Sequence, residues 1–374
     1  MTTTVKLNPD QEEIRGVARS FLQARYPSDR VRELMSTDDG FEQSSWQEIA
    51  ELGWTGIALP EESGGAGYTL IERCLLLEEM GRVLLPGPYL SSAVLAADAV
   101  SLAAGEEAGA ETLGHIVDGS TRATLVAAGD LLGSGDPAGE VTADAHSDGF
   151  TLSGSGGLTL DGASAELLIV AAAVPGDGVG LFEVDPEADG VERNPAPTID
   201  ETRRTAVVEF EGVPARRLDA GDDTAAAIAD VLDRGAVSLA AESVGGAQRA
   251  IEITVAYMNE REQFGGPIGR FQALKHRLAN LFVEIDAARE SVYSAADTIE
   301  SGELDHVPMA ASAAKRAASE GFTLTTAEAV QLHGGIGFTE EHDIGLYYKR
   351  ALVAASTLGT PLAHLERVAV GLDV

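Results

Sequence analysis

The sequence predicts a multidomain α+β chain: an N-terminal helical domain at residues 1–120, a middle antiparallel β-barrel or sandwich at 121–218, and a C-terminal four-helix bundle at 219–374. Three observations carry that prediction. Apolar residues recur at helical spacing through the first third of the chain. Short Val-, Thr- and Gly-rich alternations separated by Asp/Gly turns fill the middle. Long helical periods then return at about 223–260, 269–302, 306–333 and 339–356, with glycine turns between them.

Each element has a local reason. Asn8-Pro-Asp-Gln-Glu-Glu13 is a helix start, with a capping side chain, a proline and acids in the first turn. Ile14, Val17, Ala18, Phe21 and Leu22 mark the apolar face that follows. A second helix over Ser45–Trp54 is stopped by Gly53. A glycine loop, Gly64-Gly-Ala-Gly67, precedes a helix through Leu75 to Glu79, and Pro86-Gly-Pro88 breaks the chain after it. Gly149–Gly154, Glu166–Ala171 and Thr205–Phe210 read as strands. The Asp/Gly-rich stretch at about 133–149 reads as a loop.

Bulk composition excludes several functions. A net charge of −34 and a pI near 4.4 leave no cationic footprint for nucleic acid or for an anionic membrane surface. The acidity reads as a solvated surface that keeps the protein dispersed, with adaptation to high salt as the alternative. The lone cysteine, Cys74, sits in an apolar helical run and reads as core filler, with no internal disulfide and no cysteine metal cluster. The histidines show no metal-ligand spacing, so no metal is expected. No apolar run approaches the ~20 residues that span a bilayer. The polar stretch Met1–Asp10 lacks a signal-peptide core, so a cytoplasmic location is expected.

The strongest functional signal is a pair of glycine-terminated helix ends. Tyr257–Gln272 contains Arg261, Gln263, Phe264, Phe271 and Gln272, while Gln331–Glu340 contains Gln331, Gly334 and Gly335. Backbone N–H groups beside the glycines, together with one arginine fork, suit an anionic cofactor. With Gly53–Gly67 and Glu78–Pro88, these blocks resemble the acyl-CoA dehydrogenase family of flavoproteins over almost the whole chain.

That resemblance implies FAD lying extended between two subunits, an acyl-CoA substrate, and an electron-transfer flavoprotein as electron acceptor. The oligomer would be formed with copies of this chain or with a second dehydrogenase subunit. Carried over residue by residue, Arg261, Gln263, Phe264, Phe271 and Gln272 would meet the diphosphate and adenine, and Gln331, Gly334 and Gly335 would complete the clasp. Gly133 and Ser134 match the end of the family's Thr-Glu-Pro-x-x-Gly-Ser-Asp element, and Thr360 belongs to the expected FAD contacts. The strand that usually reads Gly-x-Lys-x-Trp-Ile-Thr-Asn-Gly is Gly154–Gly162 here, with Leu158 for the aromatic and Leu160 for the hydroxyl.

The family's reaction removes the α proton of a thioester with a carboxylate while the β hydrogen leaves as hydride to the flavin. The usual glutamate belongs to a Tyr-Glu-Gly-Thr turn, which is Thr357-Leu-Gly-Thr360 here, so Leu358 occupies the position of the base. Some relatives carry the base on the preceding helix, at the position of Gly235. Glu242, two turns further along, is the weak candidate that remains, and Asp233 points away by helical geometry. For both acids an ordinary ion pair is the competing reading. Arg203, Arg204, Arg216 and Arg217 read as partners of nearby acids, with CoA phosphates as the alternative. Two functions follow: a dehydrogenase forming 2-enoyl-CoA, or a catalytically incomplete subunit clasping FAD for a base-carrying partner in a heterotetramer.

Overall fold

The computed structural model describes residues 6–127, 138–147, 149–219 and 223–372. In the N-terminal part, α1 (Pro9–Arg25), α2 (Ser28–Met35), α3 (Gln43–Glu51) and α4 (Leu70–Arg82) are followed by a π-helix at Tyr89–Ala96, α5 (Ala97–Ala103) and α6 (Glu106–Val117). Asn8 caps α1 through a reciprocal box with Gln11, and Thr69 caps α4 in the same way with Glu72. Gly53 takes the left-handed conformation (φ +72°) after α3.

The middle part holds β1 (Ala123–Val126), β2 (Thr142–His146), β3 (Gly149–Leu160), β4 (Leu167–Val174), β5 (Gly178–Val184), β6 (Val191–Pro195) and β7 (Thr205–Arg217). The pairings β4–β5, β5–β7, β7–β3, β3–β2 and β2–β4 form a closed ring, hence a barrel. Two of its pairings depart from the antiparallel expectation: β1 and β2 both run parallel to β4. The stretch expected to be a loop contains β2, which pairs antiparallel with β3 over Thr142–His146 and buries only Ala143. Strand β4 shows why the sequence there reads as a continuous apolar run. Leu168, Val170, Ala172 and Val174 fill the barrel, while Ile169 and Ala171 belong to the helical core on the other side.

The C-terminal bundle comprises α7 (Thr224–Glu260), α8 (Gln272–Glu300), α9 (Val307–His333), α10 (Ile344–Ser356) and α11 (Pro361–Gly371). The helix expected from about 339 begins only at Ile344, because Gly334–Phe338 is a 3-10 turn and Thr339–Asp343 a bend. Helices α4 and α7 cross in near backbone contact. A Cβ on Gly81 would lie 1.9 Å from the Glu242 carbonyl oxygen, and one on Gly245 would lie 1.8 Å from that of Glu78. Glycine at both positions lets the N-terminal domain seat directly on the bundle. At the same crossing, buried Arg289 and Tyr293 of α8 donate to the Glu78 carboxylate at 3.0 and 3.1 Å. No described helix is long and apolar enough to cross a membrane.

Candidate functional site

The two glycine-terminated segments lie together at one end of the bundle. Tyr257, in the last turn of α7, donates its hydroxyl to the His333 carbonyl at 3.1 Å and stacks on the His333 ring at 4.4 Å. His342 packs against the same imidazole, also at 4.4 Å. His333 is buried and donates Nδ1–H to the Ala329 carbonyl at 2.7 Å, so it packs the end of α9. Burial lowers the pKa of both imidazoles. This stack fixes Arg261, four residues beyond Tyr257, relative to Gln331, two residues before His333.

The loop from Arg261 to Phe271 is held by its own backbone. Ile268 N–H donates to the Arg261 carbonyl, and Gln263 N–H to that of Gly266, each at 2.9 Å. Phe264 is left-handed (φ +55°) and is pinned by Arg270, which donates to the Phe264 and Gly265 carbonyls. Arg270 also covers the Phe271 ring at 5.2 Å, and Phe271 meets Phe264 edge-on. With the loop satisfied internally, its outer side chains lie at the surface, where Gln263 Nε2–H donates to the Glu262 carbonyl at 2.7 Å. Arg261, Gln263, Phe264, Phe271, Gln272 and Gln331 are all exposed, Phe264 to 84%. A Cβ on Gly334 or Gly335 would meet nothing within 4 Å.

Arg261 stands apart from the chain's other arginines. It is the one arginine that, among the described residues, has no side-chain ion pair, hydrogen bond or ring partner. In so acidic a chain, an unpaired guanidinium beside an open glycine turn is a donor set for phosphate. The exposed guanidinium and the open backbone at Gly334 and Gly335 are groups that could hold a phosphate.

The interior is different. Leu358 is left-handed (φ +56°) and buried. His364 Nε2–H donates to the Leu358 carbonyl at 2.8 Å, while His364 Nδ1 accepts from Ser312 Oγ at 3.1 Å. Lys315, wholly buried, donates to Ser319 Oγ and the Ala354 carbonyl at 2.9 Å and to the Gly359 carbonyl at 3.5 Å. The Thr360 hydroxyl accepts from Ala363 N–H and so caps α11. Burial lowers the Lys315 pKa to about 7 and that of His364 to about 4. The turn is thus rigid, and Leu358 projects toward Gly235. A Cβ on Gly235 would lie 3.2 Å from Leu358 Cδ1 and 2.5 Å from Leu95 Cδ2.

Glu242 is held between two cations. Arg350 Nη1 donates to one carboxylate oxygen at 2.6 Å and Arg203 Nη2 to the other at 2.7 Å. Burial pushes this carboxyl upward, but the two arginines overcome that and hold it below the usual range. Arg350 also binds Asp200 at 2.5 Å and the Thr202 hydroxyl at 2.5 Å. Asp233 is buried on Arg367, at 2.7 and 3.0 Å. Arg216 pairs with Glu183 and Arg217 with Asp177 and Asp219, while Arg204 serves the carbonyls of Met35, Thr37 and Glu201. Leu160 is buried and Leu158 half-buried, and neither offers a hydrogen-bond donor from its side chain. Gly133 and Ser134 lie outside the described residues.

Sequence reasoning missed Arg350 and Leu95. A charge inside the apolar helix Leu346–Ala355 is a signal that could have found Arg350. Leu95 had none, because its partners Gly235 and Leu358 are far away in the chain.

The profile described as "Acyl-CoA dehydrogenase, N-terminal domain" matches residues 8–120, and "Acyl-CoA dehydrogenase, C-terminal domain" matches 225–372. The chain belongs to the acyl-CoA dehydrogenase family. It is 33% identical over 363 residues to the acyl-CoA dehydrogenase IpdE2 of Mycolicibacterium smegmatis, covering 97% of this chain and 98% of that protein. Among solved structures it is similar to the Tcur3481–Tcur3483 steroid ACAD G363A variant, with a TM-score of 0.88 and 35% identity over 97% of this chain and 98% of the other. The ChsE4–ChsE5 complex from Mycobacterium tuberculosis has the same TM-score at 25% identity, with 98% of each chain covered.

Proposed function

We propose that this chain takes part in FAD-dependent α,β-dehydrogenation of an acyl-CoA thioester as a supporting subunit. It clasps the cofactor for a second, base-carrying dehydrogenase chain in a heterotetramer. The observation that carries this reading is the pair Leu358 and Gly235. Neither of the two places from which a family base acts holds an acid: one is the buried Leu358 and the other is Gly235, where a Cβ would meet Leu95 and Leu358. Glu242 is tied to two arginines, which hold it as an anion and leave it a poor proton acceptor.

The division of labour follows from which half of the cofactor this chain fits. Bound FAD supplies the acceptor for the β hydrogen as hydride. Toward it, this chain offers the Arg261 fork and the open backbone at Gly334–Gly335 for the diphosphate, with Phe264 and Phe271 beside the adenine. Its described barrel residues offer the ring no side-chain donor at Leu158 or Leu160. The partner therefore supplies the ring pocket, the base and the thioester site, and electrons pass on to an electron-transfer flavoprotein. Structures described as a steroid ACAD and as a two-component complex support a steroid-derived acyl group and a two-chain assembly.

The test is the visible absorption spectrum. Chain purified alone should be colourless, and the chain co-expressed with its partner should be yellow, with one FAD for every pair of chains. Near-stoichiometric FAD with turnover in the chain alone would establish a self-sufficient homo-oligomeric dehydrogenase instead.

A further inference from the structure

The π-helix Tyr89–Ala96 touches all three domains. Its wide turns are uncommon, and such segments concentrate at functional positions. From it, the Tyr89 hydroxyl donates to the Trp54 carbonyl at 2.8 Å within the N-terminal domain. Ser91 Oγ donates to Asp161 at 2.6 Å, and Ser92 Oγ accepts from Ala123 N–H at 3.1 Å, both on the barrel. Leu95 then enters the bundle, where Cδ2 stands 2.5 Å from the Cβ that any larger residue at 235 would need. Leu90, Val94 and Leu95 are all at most 3% exposed.

We infer that Leu95 is the plug that closes this chain's own acyl site. The space between positions 235 and 358 is where a thioester's α carbon must sit for a base at either position to reach it. Leu95 stands at its edge, with Cδ2 2.5 Å from the point a Cβ on Gly235 would occupy, while Leu358 Cδ1 lies 3.2 Å from the same point. The surroundings are anchored, since the serines hold the π-helix to the barrel while Lys315 and His364 bond the backbone of the turn that carries Leu358. An acyl chain cannot displace it without moving one of these anchors. The chain therefore accepts no acyl-CoA thioester of its own, and an assembly with a base-carrying subunit binds one thioester per pair of chains. This inference rests on the supporting-subunit reading for its stoichiometry but not for the plug itself.

The experiment is calorimetric titration of octanoyl-CoA into the co-purified complex and into the chain alone, with flavin counted separately by absorbance. In the complex we expect one octanoyl-CoA per pair of chains, and none in the chain alone. Leu95→Ala should create binding in the chain alone and raise the complex toward one per chain. Leu95→Val, which keeps more of the packing, should do the same more weakly and serves if the alanine variant does not fold. Binding of one octanoyl-CoA by each wild-type chain overturns the inference. So does a folded Leu95→Ala protein with unchanged stoichiometry. A chain that is yellow alone yet binds no octanoyl-CoA would overturn the supporting-subunit reading and leave the plug standing.

Discussion

The clasp and the interior junction treat charge in opposite ways. At the junction, Arg203, Arg350, Asp200 and Glu242 are buried and neutralise one another. At the clasp, Arg261 is exposed and unpaired among the described residues, beside glycines that face open space. A buried ion network of this kind holds domains in register, because removing one partner strands the rest in a medium that cannot solvate them. An unpaired surface arginine does nothing for the fold, since exposed charge is cheaply solvated by water. One region is therefore structure, and the other is the region for which we propose a ligand. The largest test of that contrast is Glu242→Gln. It should destabilise the chain by roughly 3–5 kcal/mol, the usual penalty for breaking a buried pair, as read from urea unfolding. An active assembly that lost turnover without losing stability on this change would make Glu242 a base after all.

The second test uses the groups behind Leu358. Burial lowers the Lys315 pKa from 10.5 to about 7 and the His364 pKa from 6.5 to about 4. Between each pair of values the unfolded chain holds a proton that the folded chain lacks, so stability rises with pH across both windows. Melting temperature should climb from pH 4 to 6.5 through His364, and again from about pH 7 toward 10 through Lys315. Lys315→Met should flatten the upper rise and stabilise the chain at pH 6, by an amount on the order of a few kcal/mol. A rise that survives in Lys315→Met would assign it to another group.

How much of this was legible in the sequence depends on the range of the cause. Helix starts at Asn8 and the stop at Gly53 were readable because caps act within four residues. The long bundle helices were readable from their period. The two glycine-terminated helix ends were legible because their residues are contiguous and their glycines announce backbone geometry. The barrel's parallel pairings were not, since β4 meets β1 and β2 through registers that no local pattern encodes. Nor was the network around Glu242, whose four charges come from three separate segments. Position 235 is the sharpest case. Glycine there could mean a lost base or a packing requirement, and only the approach of Leu95 decides for packing.

That packing gives the third test. Gly235→Ala gains helix propensity, worth up to ~1 kcal/mol, but drives a methyl against Leu95 and Leu358, at about 1–3 kcal/mol for overpacking. We expect a net loss of about 1–2 kcal/mol in chemical denaturation. In a Leu95→Ala background the clash disappears, so the same substitution should become neutral or stabilising. Additive losses in the double variant would show that the two side chains do not meet.

The smallest effect on stability is the most informative about function. Arg261→Ala removes a side chain with no partner among the described residues, so its melting temperature should stay at the wild-type value. Its consequence should appear only when the cofactor is present. An arginine–phosphate contact contributes about 1.5–3 kcal/mol, so FAD should dissociate from the assembled complex roughly tenfold to a hundredfold more readily. Flavin fluorescence released on dilution measures this directly. Arg261→Lys keeps the charge but loses the fork, and should recover only part of the retention. Phe264→Ala, on the same loop, separates the contributions. If adenine packs on Phe264, flavin retention falls again while the salt dependence that Arg261 confers remains, because screening acts on the phosphate contact and not on the ring. Unchanged retention in both variants would show that the partner holds FAD without this chain's clasp.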